Sequence, residues 1–204
     1  KAINGEYDYK YQSLMLPDAP ILMDNQEKGG YTIELIPPIS SPVIGLNVTS
    51  ADEEKRKVFS NIKFRQAMSV AMNRDEINDV AYYGLGKPVQ YTGFSPVPDF
   101  VDPKWGSYFI KHDMALAKSL FDEIGVVDKD GDGFRDLLNG SQLVVNIQYA
   151  TQGMPGAVVE LIAQHWNNVG IKTIFKEVTP DEYRSAQGAN ELDVHMWTTA
   201  PPLA

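Results

Sequence analysis

Between residues 61 and 87 (NIKFRQAMSVAMNRDEINDVAYYGLGK) apolar side chains recur at Phe64, Ala67, Met68, Ala71 and Met72. The spacing i, i+3, i+4, i+7, i+8 is one stripe of an amphipathic helix, so it predicts a helix with its opposite face polar. The stripe stops at Asn73-Arg74-Asp75. There Asn73 or Asp75 can cap a second helix that turns Ile77, Val80 and Ala81 inward and closes at Gly84. Two helices are expected to meet at a polar corner.

The same reading extends along the chain. Asp113 after His112 can cap a helix with the stripe Leu116, Ala117, Leu120, Phe121 and Ile124, closed by Gly125. Val158, Leu161, Ile162, His165 and Val169 mark a core-facing helix over 156–169. Thr179-Pro180 opens another that runs through Gln187. Alternation at 43–48, 142–149, 173–178 and 192–197 predicts strands. Nearer the start, 1–5 reads as a helix end and 6–9 as a short strand. Asp18 caps a helix through 24–28, ended by Gly29-Gly30, and 31–36 alternates as a strand. Residues 52–57 read as a charged, solvated loop. Residues 88–108 carry Tyr91, Phe94, Phe100, Trp105 and Tyr108 among prolines with no period. Such a loop either covers a core edge or offers rings to a ligand. Strand, helix, strand, helix, strand in the last third is the order of an open α/β lobe with right-handed crossovers.

Lys63-Phe64-Arg65-Gln66-Ala67, then Met72-Asn73-Arg74-Asp75-Glu76-Ile77, then Gly84 and Gly86-Lys87-Pro88 resemble an ordered motif of the family 5 extracellular solute-binding proteins of ABC transporters. That group includes oligopeptide, dipeptide and nickel binders. Asn73 stands where the family usually has Asp. The segments Asn4 to Tyr9, Ile44-Gly45-Leu46-Asn47, the helix before Gly125 and Asn168-Val169-Gly170-Ile171-Lys172 are also similar to family segments, in the family's order. The resemblance implies a periplasmic-binding-protein-like α/β lobe, with a mixed sheet flanked by helices and the two chain ends close together. It further implies that residues 1–204 are a single lobe, the C-terminal ligand-binding one of a two-lobe protein, with the N-terminal lobe absent. The expected function is capture of an oligopeptide or oligosaccharide between two lobes and delivery to an ABC permease. The expected location is extracytoplasmic, periplasmic or lipid-anchored.

Composition narrows the partners. The 204 residues carry 18 Lys and Arg against 27 Asp and Glu, a formal charge of −9. Without clustered cations, nucleic acid is disfavoured as a partner. The absence of cysteine removes disulfides and thiol chemistry. No run approaches the roughly 20 apolar residues of a membrane span. The three histidines share no metal spacing, no G-x-S-x-G elbow exists, and Gly84 with Gly86 lacks the rest of a dinucleotide fingerprint. No catalytic residue is assigned and an enzyme is not expected. A hydrolase using two carboxylates is the weaker alternative, and a calcium-stabilised carbohydrate-binding or adhesion module the stronger one.

Two stretches carry candidate chemistry. Asp128, Asp130, Asp132, the Phe134 carbonyl and Asp136 follow the D-x-D-x-D-G spacing of a calcium loop, with Asn139 where a bidentate Glu would stand. The same residues also read as a metal-free Asp/Gly turn. No cofactor is required, and calcium is the one candidate ion. The final strand, His195-Met196-Trp197-Thr198-Thr199, supplies an aromatic ring and hydroxyls. No carboxylate follows Trp197 at the place where peptide-binding relatives hold an acid for the peptide's amino group. Leaving an ammonium unpaired in a closed cleft would be costly, which favours a neutral, hydroxyl-rich ligand. Tyr91 and Trp105 could add rings. Trp197 reads equally well as a core residue. Asn47-Val48-Thr49 is a formal glycosylation sequon expected to stay unmodified.

Overall fold

The computed structural model describes residues 1–10, 14, 16–34, 41–90 and 99–199. Short helices α1 (Ala19–Asp24) and α2 (Gln26–Gly29) precede strand β1 (Ser41–Leu46). Three helices follow in succession, α3 (Glu53–Ser60), α4 (Ile62–Ala71) and α5 (Arg74–Tyr82), then α6 (Met114–Glu123). The remainder alternates: β2 (Val144–Tyr149), α7 (Gly156–Asn168), β3 (Lys172–Glu177), α8 (Pro180–Gly188) and β4 (Val194–Thr199). The class is α/β, as expected.

Five of the longer helices, α3, α4, α5, α6 and α8, start at a side chain that satisfies orphan N–H groups, while α7 follows Pro155 with no side-chain cap. Asp52 accepts from Glu54 and Lys55, Asn61 from Lys63, Asn73 from Glu76 and Asp113 from Leu116. Thr179 and Glu182 form a reciprocal capping box on α8. Of the two residues that could cap α5, Asn73 does so. The corner after α4 is pinned by Arg74, whose guanidinium donates to the Ser69 and Ile110 carbonyls and to Ser69 Oγ. Burial lowers its pKa to about 10, so it stays cationic at neutral pH.

β2 and β3 pair in parallel around α7, and β1 pairs antiparallel with β4, His195 opposite Gly45 and Trp197 opposite Val43. β4 also runs beside β2. The single mixed sheet expected from the resemblance is, among the described residues, two hydrogen-bonded pairs. At their junction the Asn146 N–H goes to the Asp193 carboxylate at 2.9 Å. A side chain thus takes the place of a ladder bond.

The core lies between the strands and α4, α6 and α7. Phe64 is fully buried, its ring 5.7 Å from Phe59 and 5.3 Å from Phe121. Trp166 Nε1 donates to the Met68 carbonyl at 3.0 Å, tying α7 to α4.

Several sequence expectations are corrected. Residues 52–57 are the Asp52 cap and the start of α3, not a loop. Lys57 pairs with Glu53 and Glu54 one turn back, and Val58 and Phe59 bury the far end. Residues 6–9 form no strand and neither do 31–34, while 35 and 36 lie outside the described residues. Val80 is 56% exposed, because α5 buries only the narrow edge carrying Ile77 and Ala81. Leu116 is likewise exposed at the rim of α6. The expected proximity of the chain ends falls outside the described residues. No described helix is long and apolar enough to cross a membrane.

Candidate ligand surface and acidic turn

The pleat of β4 sorts the candidate ligand residues. Val194 and Met196 enter the main core, while His195 and Trp197 face the other way, toward α8. Thr198 falls on the Val194 and Met196 side by the two-residue period, so it and Trp197 do not share a face. For Thr199 the backbone is described, opposite Ser41. Tyr91 lies outside the described residues.

Trp197 is half-buried and heavily engaged. Its ring centroid is 4.9 Å from that of Tyr183 at 32°, and the Arg184 guanidinium sits 5.7 Å away. The backbone of Gly153 approaches so closely that an added Cβ would lie 2.3 Å from Cε3. Trp197 therefore packs against a small second cluster of Ala150, Tyr183, Ala186 and Leu192. The Tyr183 hydroxyl, buried within this cluster, accepts the Met196 N–H at 2.9 Å and lies 3.1 Å from His195 Nδ1. Burial lowers the pKa of His195 and favours its neutral form.

Next to this cluster is an open groove of about 750 Å³ lined by Thr151, Gln152, Lys176, Glu177, Val178, Thr179, Pro180 and Glu182. It sits at the carboxyl ends of β2 and β3, where the strands of open α/β sheets present loops to ligands. Thr151 Oγ1 donates to Glu177, and Glu182 accepts from the Thr179 N–H and hydroxyl. Gln152 leads directly into Gly153, whose backbone packs against the Trp197 ring, so the groove adjoins Trp197 in space. Trp105 stands elsewhere, in the 3-10 turn Pro103–Ser107. It is 52% exposed, with Tyr108 at 5.5 Å and the Lys104 ammonium at 5.1 Å. None of these ring neighbours is shared with Trp197.

In the acidic turn, ligand oxygens of Asp128, Asp130 and Asp136 lie within 4.8 Å of one another. Asp132 is turned to other work, accepting the Phe134 N–H at 2.8 Å and Gln142 Nε2 at 3.0 Å. Asp128 accepts from Gly131 and Gly133, and the buried Asp136 accepts from Lys129. Asn139 caps its own turn through Ser141. Three carboxylates converge as hard-oxygen ligands would, but not the whole expected set.

His165 is a hydrogen-bonded core residue. Its Nδ1 accepts the Asn73 N–H at 3.3 Å and its Nε2 meets Glu76 at 2.9 Å. The Asn47 side-chain amide donates to Asn190 Oδ1 and the Leu192 carbonyl, so the formal sequon is used structurally. Sequence reasoning missed Tyr183, Gly153 and the Thr151–Glu177 pair. The strand-end position of Thr151 and Gln152 was the available signal.

The family model for bacterial extracellular solute-binding proteins, family 5 Middle, matches residues 1–203. A "Probable ABC transporter-binding protein" of Deinococcus radiodurans is 35% identical over 135 residues, covering 65% of this chain and 22% of the relative. A "Periplasmic alpha-galactoside-binding protein" of Rhizobium meliloti is 29% identical over 151 residues, 68% of this chain and 20% of its own. Among solved structures, an "oligopeptide-binding protein OppA" matches with a TM-score of 0.78 at 30% identity, over 99% of this chain and 33% of that one. The chain thus spans about a fifth of the curated relatives it matches and a third of that solved structure.

Proposed function

Because the chain belongs to the bacterial extracellular solute-binding proteins of family 5, we propose that it is one ligand-holding lobe of the substrate-binding component of an ABC import system, working outside the cytoplasm in the periplasm or anchored at the cell surface. The family is one of binding proteins, and no catalytic residue is assigned. The ligand is captured between this lobe and a second one, and the closed form is presented to the permease. Contacts on both walls drive closure, so the lobe alone binds weakly.

The groove at the ends of β2 and β3 carries this reading. Its Gln152 is a two-way hydrogen-bonding group, its Thr151 and Thr179 hydroxyls, whose protons go to Glu177 and Glu182, keep acceptor lone pairs, and it adjoins the half-buried Trp197. That lining suits an oligosaccharide, in keeping with the name of the alpha-galactoside-binding relative. An oligopeptide is the second reading, supported by the name of the oligopeptide-binding neighbour and by Glu177, an exposed acid at the groove that could meet an ammonium. Screening the full-length protein by calorimetry against α-galactosides, cello-, xylo- and manno-oligosaccharides and di- to pentapeptides decides between them. Nanomolar peptide binding with no sugar response would sink the sugar reading, and submicromolar binding by this lobe alone would sink the two-wall mechanism.

Calcium has a supporting place in the same proposal. Asp128, Asp130 and Asp136 would hold it, and the ion would pin the turn between α6 and β2. Lacking a terminal bidentate Glu, the site would be weak, on the order of 10⁻⁴ to 10⁻³ M.

A further inference from the structure

His195 differs from the other candidate ligand residues in having one ring nitrogen committed. Tyr183 Oη already accepts the Met196 N–H. Its own proton is then free to go to His195 Nδ1, 3.1 Å away. Gln187 Nε2 approaches the same Nδ1 at 3.4 Å. Two donors converging on Nδ1 make it an acceptor, which places the imidazole proton on Nε2. Burial lowers the pKa of the ring, which works in the same direction by keeping it neutral.

Nε2 has no protein partner among the described residues, and His195 is only half-buried. Its cross-strand neighbour on β1 is Gly45, which is exposed and has no side chain to cover the ring. A Cβ built on Gly45 would meet only the His195 Cβ, at an ordinary 3.9 Å. The open space beside the imidazole is therefore a consequence of one residue choice, and strand packing does not require it.

We propose that His195 is a specificity residue presenting a single Nε2–H donor to a neutral acceptor oxygen of the ligand, a hydroxyl or a carbonyl, with Tyr183 as the positioning residue that fixes the tautomer. The proposal rests on the solute-binding reading above and adds the polarity of one contact. A cationic group such as a peptide ammonium is rejected here, because a fixed N–H faces it with no acceptor to offer.

The first test needs no ligand. Nitrogen-15 NMR of the full-length protein should show His195 as the Nε2–H tautomer. Tyr183→Phe, which keeps the ring against Trp197, should shift it toward a mixture. A Nδ1–H tautomer in the wild type, or no change in the variant, overturns the inference.

The second test adds an α-galactoside trisaccharide, then trialanine. Whichever probe binds should move the Nε2 resonance, and His195→Leu should weaken it roughly tenfold. His195→Gln, which restores an N–H at similar reach, should recover part of the loss. Gly45→Val should occlude the donor while leaving the melting temperature close to wild type. A probe that binds with the Nε2 resonance and the variant affinities unchanged overturns the inference. Failure of both probes to bind, with the Nε2–H tautomer and its Tyr183 dependence observed, counts against the ligand classes proposed above and supports the tautomer assignment.

Discussion

Asp193 is where the fold should break most readily under a single substitution. Its carboxylate takes the Lys55 ammonium at 2.6 Å, the Asn146 N–H at 2.9 Å and the Asn146 side-chain amide at 3.0 Å. The two charged side chains are only 12% and 15% exposed. These bonds join α3 to β2 at the junction of the two strand pairs. Asp193→Ala leaves an ammonium and a backbone N–H unpaired, and breaking a buried pair from one side costs about 3–5 kcal/mol. Residual solvent access puts this case near the lower end, about 3 kcal/mol, or roughly 6–12 °C of melting temperature for a chain of this size. Lys55→Met should cost less, about 2 kcal/mol, because the carboxylate keeps its two amide donors. The double variant Lys55→Met/Asp193→Leu should recover much of the loss, since it leaves no charge behind. Urea unfolding read as a midpoint shift at constant m measures all three. An Asp193→Ala loss under about 1 kcal/mol, or a double variant no more stable than Asp193→Ala, would refute the reasoning.

Three further outcomes follow from the geometry. Gly153→Ala drives a methyl to within 2.3 Å of the Trp197 ring, so it should cost about 1–3 kcal/mol and shift Trp197 fluorescence; an unchanged spectrum and midpoint would mean that the ring does not rest on Gly153. The bonds from the Thr179 N–H and hydroxyl lower the Glu182 pKa, so the capping box contributes above the ordinary carboxylate value near 4.5 and is lost as pH falls through the lowered one. The stability difference between wild type and Glu182→Gln should then be flat near neutrality and shrink below about pH 4.5, and a difference that grows on acidification contradicts the sign. Calcium at millimolar concentration should raise the melting temperature relative to chelator, with the gain abolished by Asp128→Asn; equal melting temperatures would make the turn a metal-free one.

Elements carrying both a cap and a 3.6-residue stripe were legible from sequence. Asn73, Asp113 and Thr179 all cap where expected, and each is followed by buried residues at helical spacing. α3 was missed because its apolar residues, Val58 and Phe59, come only at its end, so the charge run dominated the pattern. Its signal was nevertheless present in the Asp52 cap and the four-residue step from Glu53 to Lys57. Charge runs with these two features deserve to be read as helices.

The candidate ligand surface was legible only in part, for a physical reason. Which face of β4 carries Trp197 follows from alternation alone, and the same rule already separates Thr198 from it. What meets that face is a matter of tertiary packing. Tyr183 sits in a polar helix with few apolar neighbours, yet it is buried, stacks on Trp197 and bonds to His195. Likewise Asp193 reads locally as one position of the strand expected over 192–197, and only the fold brings Lys55 and Asn146 to it from distances of 138 and 47 residues along the chain. Both cases are polar atoms buried at the seams between elements, where an unpaired group is costly and the partner must be supplied from elsewhere in the chain. Local periodicity reports the faces, and the seams are set by pairings that no local window contains. Substitutions at Tyr183 and Asp193 should accordingly perturb the groove and the strand junction without touching a ligand.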